Sequence, residues 1–395
     1  MLAHMVWVNR IKAIVLGLGL GLALHTGANW LRILIDHVPE CGQPNCVADF
    51  VTFHAEGTLI SEDRRLLYDL DQQLAYQNKL APVAQVLPFV YPPITALVLA
   101  PLGLLPFPVA FLVMTLLNLA LLVESLRLLI RRLSLTRDQS HWLGLYALCS
   151  FGAHAVVFYG QTSALVLYFL IRHVLARKQS RDYPAGGWAG LLCVKPQYLP
   201  IPHLVLLLHK NWRGLAVGIG TSVGLIVGAF IFVGAEASKQ YFVLAQRMVG
   251  ADNDWWNQWR GMHNLRALTA FWLPAHLQTA AWLTGCAAVA AAVIGLNLRA
   301  RARADGFALS WIVNLLGLLI IIPHLFTHDL SLLILPCALF LSLLKETVPV
   351  GIGLGLVVLA ALPVVNYLLP TLMGTMLVIL FALSLILARR KLATK

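Results

Sequence analysis

The chain has 395 residues, of which 59% are hydrophobic and 12% are charged, whereas an ordinary soluble domain has about 45–50% and about 25%. This composition excludes a soluble globular domain and a disordered chain, because so few charges cannot cover a soluble surface and apolar blocks long enough to cross a bilayer recur. The 29 Lys and Arg exceed the 17 Asp and Glu, giving a net charge of +12. Because these cations lie between apolar blocks, they indicate membrane orientation and predict no nucleic-acid partner.

Basic clusters separate the apolar blocks, and the positive-inside rule places all of them in the cytoplasm. They lie at 10–12, 127–137, 172–181, 210–213, 299–303, 345 and 389–395. The blocks between them predict one all-α polytopic membrane domain over 1–395, with about 12 transmembrane helices and both termini in the cytoplasm. The same alternation leaves two long loops outside, at 36–90 and 236–275.

The first outer loop, 36–90, carries two helical patterns. Apolar and polar residues alternate from Val47 to Glu56, and leucines then recur at helical spacing from Leu66 to Leu74. These patterns predict amphipathic helices that lie along the membrane surface with one face in lipid or protein.

Asp49 begins the first of these helices. A partly desolvated carboxylate at the membrane surface suits a general base that activates a hydroxyl, but Asp is also a favoured helix N-cap, and position alone supports both interpretations. His54 and Glu56 follow on the same helix. They are candidates for contacts around an acceptor, or they form the solvated face of that helix.

Cys41 and Cys46 enclose a short turn that contains Gly and Pro. Disulfides persist on an oxidising side of a membrane, so we expect these two residues to form one. Two unpaired thiols are the alternative, and they would react with a thiol reagent without prior reduction.

Segment 93–126 must cross the membrane an odd number of times to return the chain to the cytoplasm. Pro101, Pro106 and Pro108 predict one crossing together with a broken or re-entrant piece, because proline removes a helix donor and clashes with the preceding turn. Tyr91 would then lie at the outer mouth of the break, where an ordinary interface tyrosine is the alternative interpretation.

Segment 184–209 has cytoplasmic charges at both ends, which predicts two short helices folded at Lys195-Pro196-Gln197. This fold brings Lys195 towards the outer side. With no acid near it in the sequence, the cation must meet an anion or water, and a lysine is a point charge suited to a phosphate oxygen. Snorkelling of the side chain to the membrane interface is the alternative.

The segment from Pro323 to Asp329 joins two helices on the outer side and carries His324 and His328. Two histidines at this spacing can ligate a metal, but no third ligand is evident, so we predict no metal site. Hydrogen bonds to a phosphate or a sugar are the favoured interpretation.

The polar residues that are hardest to explain as lipid-compatible packing all fall on the predicted outer side. They are Asp49, His54, Glu56, Tyr91, Gln161, Lys195, His324, His328 and Asp329. Ionisable groups in or beside a membrane are costly and therefore indicate a functional site. The sequence has no Walker loop, dinucleotide fingerprint or nucleophile elbow. We therefore predict a lipid substrate whose anionic head lies at the bilayer surface.

Taken in order, these residues resemble glycosyltransferase family 87. The elements that carry the resemblance are Asp49 with Phe53 and Gly57, Tyr68-Asp69, Phe89-Val-Tyr91-Pro92-Pro93, Pro101 with Leu105-Pro106, Gly160-Gln161-Thr-Ser, Ala189-Gly190, Lys195-Pro196-Gln197, and Pro323 with His328-Asp329. The resemblance runs from about residue 45 to residue 345 and depends on the order of the elements, since none is specific alone.

The resemblance implies a GT-C fold with its active site on the non-cytoplasmic side. It also implies a sugar donor carried on polyprenyl phosphate, with no nucleotide sugar, cofactor or required metal. By this resemblance Asp49 is the general base, Lys195 binds the donor phosphate, and His328 matches the late histidine of the family. Two positions depart from the family pattern: Phe53 stands where Tyr is frequent, and Asp329 stands where a second His is frequent.

We therefore predict an inverting transfer of a hexose, mannose by resemblance, from a polyprenyl-phosphate donor to a glycolipid or glycan acceptor. The reaction is expected at the periplasmic face of a bacterial inner membrane. The predicted donor contacts are Lys195, Tyr91, Gln161, His328, Arg260 and Arg266, and the residues predicted around the acceptor or behind these contacts are His54, Glu56, His324 and Asp329.

Two other functions remain open. A transporter or flippase of a lipid-linked sugar would share the headgroup site, although such proteins commonly show two matching halves, which this sequence lacks. A structural subunit of a larger assembly would need neither Asp49 nor Lys195.

Overall fold

The computed structural model describes residues 2–35, 48–80, 86–249, 261–300, 306–344, 346–367 and 371–393. Within these ranges all regular structure is helical. The α-helices are α1 (Leu2–Ile35), α2 (Ala48–Asp63), α3 (Leu70–Leu80), α4 (Pro93–Gly103), α5 (Phe107–Arg132), α6 (Arg137–Cys149), α7 (Phe151–Tyr159), α8 (Ser163–Lys178), α9 (Asp182–Gly190), α10 (Pro200–Leu208), α11 (Trp212–Val249), α12 (Leu265–Trp272), α13 (Ala275–Ala300), α14 (Phe307–Ile321), α15 (Ile334–Leu341), α16 (Val350–Ala361) and α17 (Leu372–Ala393).

Five helices of the described chain are long and apolar enough to cross a membrane, namely α1, α5, α11, α13 and α17. The pair α6 and α7, bent by 49°, makes a sixth if it is one span. The chain is thus a polytopic helical membrane protein, but the predicted count of about 12 spans is not confirmed. Other apolar helices, such as α4 and α14, have 10–17 residues, fewer than the roughly 20 that a helix needs to cross the hydrocarbon core.

The break predicted between 93 and 126 is present. The short helix α4 contains Pro101, and Pro106 caps the start of the long helix α5. One full span therefore follows one short piece, as the prolines predict.

Helix α2 differs from the amphipathic surface helix that the sequence predicts. Every residue from Phe50 to Gly57 is buried, so this part of the helix has no face towards lipid or water. It packs closely against α4: a Cβ added at Gly103 would lie 2.1 Å from the backbone of Gly57. The polar residues that suggested a wet face, His54 and Glu56, point into protein instead.

Helix α3 packs with buried amides as well as with leucines: Leu70 and Leu80 contact a hydrophobic cluster. Gln73 and Gln77 are fully buried, and the side chain of Gln77 bonds to both the backbone N–H and the carbonyl of Leu87. Gln73 similarly accepts from the N–H of Phe89 and donates to the carbonyl of Leu67. These bonds satisfy the backbone of the non-helical segment that leads to Tyr91.

The basic clusters at 127–137 and 172–181 predict a hairpin of segments 141–158 and 161–177 with its tip at 159–161. Helices α7 and α8 meet at that tip, at Gly160 and Gln161. Gly160 ends α7 in the left-handed conformation, with φ 62°, which a residue with a Cβ rarely adopts. A Cβ added there would also lie 2.9 Å from the side chain of Phe50. The tip is thereby held against the residue that follows Asp49.

Replacing Gly160 with Ala is expected to destabilise the protein by about 1–3 kcal/mol, the cost of a non-glycine residue in this conformation, and to lower activity by displacing Phe50. Thermal unfolding in detergent and a transfer assay measure the two effects. Gly187→Ala in α9, where a Cβ meets no atom within 4 Å, is the control. Equal melting temperatures for the two variants would contradict this prediction.

The fold predicted at Lys195 is present. Helix α9 ends at Gly190, and two 3₁₀ turns, Leu191–Val194 and Pro196–Tyr198, flank Lys195 before α10 begins. Close backbone contact with α11 fixes this arrangement, since a Cβ at Gly186 would lie 2.1 Å from the carbonyl oxygen of Gly214.

The predicted second outer loop, 236–275, begins with helical structure. Helix α11 continues to Val249, past a break at Gly234 with φ 87° and ψ 177°, so 236–249 is helix and not loop. Arg260, together with Cys41 and Cys46, lies outside the described residues.

Candidate functional site

Lys195, Asp329 and Ser163 form a buried polar centre. The Lys195 Nζ atom lies 3.1 Å from Asp329 Oδ1 and donates to Ser163 Oγ at 3.0 Å. The Ser163 hydroxyl donates to the same Asp329 oxygen at 2.6 Å. The side chains of Lys195 and Asp329 are only 1% and 3% exposed, so each needs the other to offset its loss of water.

This pairing corrects the interpretation of Lys195 as a lone cation. Asp329 is its counter-ion. The sequence had placed Asp329 only around the acceptor or behind the donor contacts. Ser163 was not among the predicted site residues. The sequence feature that could have indicated Ser163 is its position directly after Gly160-Gln161-Thr162, at the start of a helix beside the hairpin tip.

The polar centre extends to Asp49 through His328. The imidazole lies between two carboxylates, with Nε2 3.4 Å from Asp329 Oδ2 and Nδ1 3.9 Å from Asp49 Oδ2. Exposure rises along this array, from 3% for Asp329 and 9% for His328 to 39% for Asp49. The array Lys195–Asp329–His328–Asp49 thus has a buried cationic end and an open carboxylate end.

Short contacts hold Lys195 in place from the α4 side. The Thr95 hydroxyl donates to the carbonyl of Val194 at 2.6 Å. The Lys195 ammonium lies 5.8 Å from the ring centroid of Tyr91, within cation–π range. The Tyr91 carbonyl in turn accepts from the hydroxyl of Tyr68 at 2.7 Å.

Gln161 and Phe53 complete the surroundings of Tyr91. The buried Gln161 side chain interacts with the Tyr91 hydroxyl. The ring of Phe53 lies 5.6 Å from that of Tyr91, so the Phe that departs from the family pattern fills this space by ring packing without a hydroxyl.

Tyr198 is a further site residue that the sequence did not indicate. Its side chain is fully buried, and its hydroxyl interacts with Asp329. Its backbone N–H donates to the carbonyl of Lys195 at 3.0 Å. The turn that positions Lys195 therefore also places a phenol beside the counter-ion.

His324 and His328 both lie close to the ring of Phe326, and Arg266 lies near His324. The Phe326 ring centroid is 6.2 Å from that of His324 and 6.1 Å from that of His328. Burial, with a smaller effect of the nearby Arg266 cation, lowers the pKa of His324 to about 4. His324 is therefore neutral at physiological pH, and Arg266 supplies the positive charge on this side.

His263 anchors the loop that carries His328. Its Nε2 bonds to the Thr327 hydroxyl at 3.0 Å, and its N–H donates to the Leu325 carbonyl at 2.8 Å. Burial lowers its pKa to about 4. A neutral imidazole thus holds the turn without adding charge to the site.

His54 and Glu56 are placed differently from the other predicted residues. The Nε2–H of His54 donates to the Leu105 carbonyl at 2.9 Å, and burial lowers the pKa of His54, with this bond as a smaller opposing effect. Within the described ranges no hydrogen bond or ion pair joins either side chain to the Lys195–Asp329 pair. The alternative that they form a solvated face is wrong, since both are buried.

Glu56 is fully buried, and neither of its carboxyl oxygens has a hydrogen-bond partner among the described residues. Burial raises its pKa well above 4.5. The folded protein therefore keeps a proton that the unfolded chain releases above about pH 4.5, so stability falls as the pH rises from there towards the folded-state pKa. Tyr68, which interacts with Glu56, stays neutral because burial raises its pKa.

Replacing Glu56 with Gln removes this titration, so the variant should gain melting temperature over wild type as the pH rises from 5 to 8. A tenfold difference in proton affinity corresponds to about 1.4 kcal/mol. Thermal unfolding in detergent at several pH values measures the difference, with Glu62→Gln on the exposed end of the same helix as control. If the difference in melting temperature between Glu56→Gln and wild type does not change with pH, Glu56 is ionised in the folded protein.

No group of three or more His, Cys, Asp or Glu able to hold a metal ion occurs in the part of the chain that the structure describes. The expectation that the protein needs no metal stays a prediction.

Part of the site lies in a region of the chain that matches a protein-family model. A family model described as glycosyltransferase family 87 matches residues 89–323, more than half of the chain. No curated protein matches the chain. The matched part includes Tyr91, Gln161 and Lys195, whereas Asp49 and His328 lie outside it and join the site through the fold.

Proposed function

Because the chain belongs to glycosyltransferase family 87, we propose that it transfers a hexose from a polyprenyl-phosphate donor to a hydroxyl of a glycolipid or glycan. We place this reaction at the periplasmic face of a bacterial inner membrane, with mannose as the first sugar to test. The observation that carries the proposal is the array Lys195–Asp329–His328–Asp49, which sets a buried cation and an open carboxylate at opposite ends of one contiguous site.

In this proposal Asp49 is the general base. It is the most exposed carboxylate of the array, so an acceptor hydroxyl can reach it. Asp49 takes the hydroxyl proton as the acceptor oxygen bonds to the anomeric carbon from the face opposite the phosphate. The bond from that carbon to the phosphate oxygen breaks, and its electron pair leaves with polyprenyl phosphate.

Lys195 stabilises the leaving phosphate. A lysine ammonium has three N–H donors, and Ser163 and Asp329 accept two of them. The third remains for a phosphate oxygen, whose negative charge grows in the transition state and strengthens that contact. Fixing the ammonium beforehand avoids reorganisation during the reaction.

Binding the donor phosphate requires further positive charge, which must come from residues outside the array. Lys195 and Asp329 cancel each other, and Asp49 leaves the array with excess negative charge. Arg266 and Arg260 are the residues we assign to this task, while Tyr91, Gln161 and His328 position the donor sugar and phosphate. His324 lies behind these contacts and positions His328 through the ring of Phe326.

The experiment that tests the proposal uses the purified protein in nanodiscs with labelled polyprenyl-phosphate hexoses and a membrane-lipid extract as acceptor. We expect label to appear in a glycolipid or glycan together with stoichiometric release of polyprenyl phosphate. Label that changes leaflet without cleavage of the donor would instead indicate a flippase. If a nucleotide sugar served as the donor and none of the polyprenyl-phosphate hexoses did, the donor assignment would be overturned.

A further inference from the structure

Thr162, the residue at the start of helix α8, has a buried hydroxyl without a hydrogen-bond partner. The residue is 3% exposed, and among the described residues its Oγ1 atom makes no hydrogen bond. It is the N-cap of α8, yet its side chain caps none of the helix N–H groups. A buried hydroxyl left unpaired costs about 1–3 kcal/mol, so a hydroxyl in this position calls for a role other than stabilising the fold.

The first turn of α8 also has backbone N–H groups to spare. The first four N–H groups of an α-helix have no acceptor within the helix. In α8 the N–H of Thr162 bonds to the Gln161 side chain, and the N–H of Leu165 bonds to the Thr162 carbonyl. In the part of the chain that the structure describes, the N–H groups of Ser163 and Ala164 donate to no acceptor outside the helix. The start of α8 therefore offers free donors together with the positive end of the helix dipole.

This helix start is in direct contact with the candidate site. Ser163, the first residue of α8, accepts a hydrogen bond from the Lys195 ammonium at 3.0 Å. On the other side of Thr162 in the chain, the Gln161 side chain interacts with the hydroxyl of Tyr91, whose ring centroid lies 5.8 Å from Lys195 Nζ. Both chain neighbours of Thr162 thus belong to the site around the ammonium.

The groups gathered at this point have one chemistry in common, since each can donate a hydrogen bond. They are the third N–H of the Lys195 ammonium, the hydroxyl of Thr162 and the N–H groups of Ser163 and Ala164. A ligand that meets them needs several acceptor oxygens, and the ammonium and the helix N-terminus both favour negative charge on it. A phosphate has both properties, whereas a neutral sugar hydroxyl gains little from the dipole.

We infer that Thr162 and the start of α8 bind the phosphate of the donor together with Lys195. The inference rests on the proposed function, because that reaction places a phosphate at the ammonium. Asp329 offsets the charge of Lys195, and the helix N-terminus adds the equivalent of about half a positive charge. Phosphate binding gives the Thr162 hydroxyl a partner, so it also relieves a cost that the free protein carries.

Thr162→Val tests the inference because it removes the hydroxyl with little change of shape. For undecaprenyl phosphate in nanodiscs the expected Kd is about tenfold higher than for wild type, or about 1.4 kcal/mol. Thr162→Ser keeps a hydroxyl and should bind as wild type does. Because the hydroxyl has no partner in the free protein, Thr162→Val should melt no lower than wild type. Wild-type affinity in Thr162→Val, or the same loss in Thr162→Ser, overturns the inference.

Ser125→Ala is the matched control for Thr162→Val. Ser125 is also buried, and its hydroxyl also has no partner among the described residues. It lies in α5, about 21 Å along the helix at 1.5 Å per residue from Phe111, whose ring packs on Phe50 beside Asp49. Its removal should leave the affinity for undecaprenyl phosphate unchanged, and an equal loss in this variant overturns the inference.

Comparison of three lipids shows which group of the donor Thr162 contacts. Thr162→Val should lose the same factor in affinity for undecaprenyl phosphate and for its hexose-bearing form. It should lose nothing for undecaprenol, which has no phosphate. A loss confined to the hexose-bearing lipid, or a loss for undecaprenol, overturns the inference.

The same binding measurements separate this inference from the proposed function. Binding of undecaprenyl phosphate that depends on Thr162, without any sugar transfer, would support the inference and refute the proposed function. Sugar transfer by wild type with affinity that does not depend on Thr162 would refute the inference alone. Failure of wild type to bind undecaprenyl phosphate overturns both.

Discussion

Asp49→Asn should lower kcat for sugar transfer by about 10²- to 10⁴-fold, the contribution typical of a positioned general base. The amide keeps the size and shape of the carboxylate but cannot accept the acceptor proton. Because Asp49 is 39% exposed and lies at the open end of the array, the variant should fold and bind the donor as wild type does. Single-turnover transfer and equilibrium donor binding measure the two effects separately.

Asp71→Asn is the matched control for this prediction, since Asp71 is an exposed carboxylate in the neighbouring helix α3. It should transfer sugar at the wild-type rate. Full activity in Asp49→Asn, or an equal loss in both variants, would remove Asp49 from the reaction. A loss of donor binding in Asp49→Asn would instead indicate that its carboxylate holds His328 and the donor in place.

Lys195→Met should abolish transfer and donor binding and should also destabilise the protein by about 3–5 kcal/mol. The larger part of this stability loss comes from Asp329, a buried carboxylate that would lose its cation. Thermal unfolding in detergent and donor binding measure the two losses. Arg65→Met, at an exposed ion pair with Asp63, should cause little change, because exposed pairs contribute little.

The double variant Lys195→Met with Asp329→Asn separates the structural role of Lys195 from its role in binding. Removing both charges should recover most of the stability, since replacing a whole buried pair costs much less than breaking it. Donor binding and transfer should stay lost, because the ammonium that meets the phosphate is absent. Recovery of transfer along with stability would show that Lys195 only neutralises Asp329.

The turn at Lys195 could be predicted from the sequence because its causes are local. Basic residues at both ends of 184–209, which the positive-inside rule assigns to the same side, predict that the chain folds back, and Pro196 marks where it does so. The hairpin with Gly160 at its tip follows from the same alternation of charges. Asp49, Lys195 and the His328 segment were predicted to lie on one side, and they do meet in one site; that this side is the outer one stays a prediction.

The partner of Lys195 could not be predicted, because Asp329 is 134 residues away in the chain. The packing of the 3₁₀ turn at Thr327–Leu333 against α7 and α8 brings it near; a Cβ at Gly152 would lie 2.6 Å from the Ser331 backbone nitrogen. Ser163 was missed for the same reason. A lone hydroxyl carries no signal until the fold places it between a cation and a carboxylate.

The burial of α2 could not be predicted from the sequence either. Its polar residues at His54 and Glu56 match a wet helix face, and the sequence alone does not reveal the α4 backbone that covers them through Gly57 and Gly103.

The span count exceeded what the structure supports, because apolar blocks such as 307–321 form helices too short to cross a bilayer alone.

The most direct test of this account is a cryo-EM structure of the protein in nanodiscs with a non-cleavable polyprenyl-phosphonate mannose. The account predicts a phosphonate oxygen within hydrogen-bonding distance of Lys195 Nζ, and the anomeric carbon facing Asp49 across a space that fits an acceptor hydroxyl. A phosphonate bound away from Lys195, or an anomeric carbon shielded from Asp49 by protein, would contradict it.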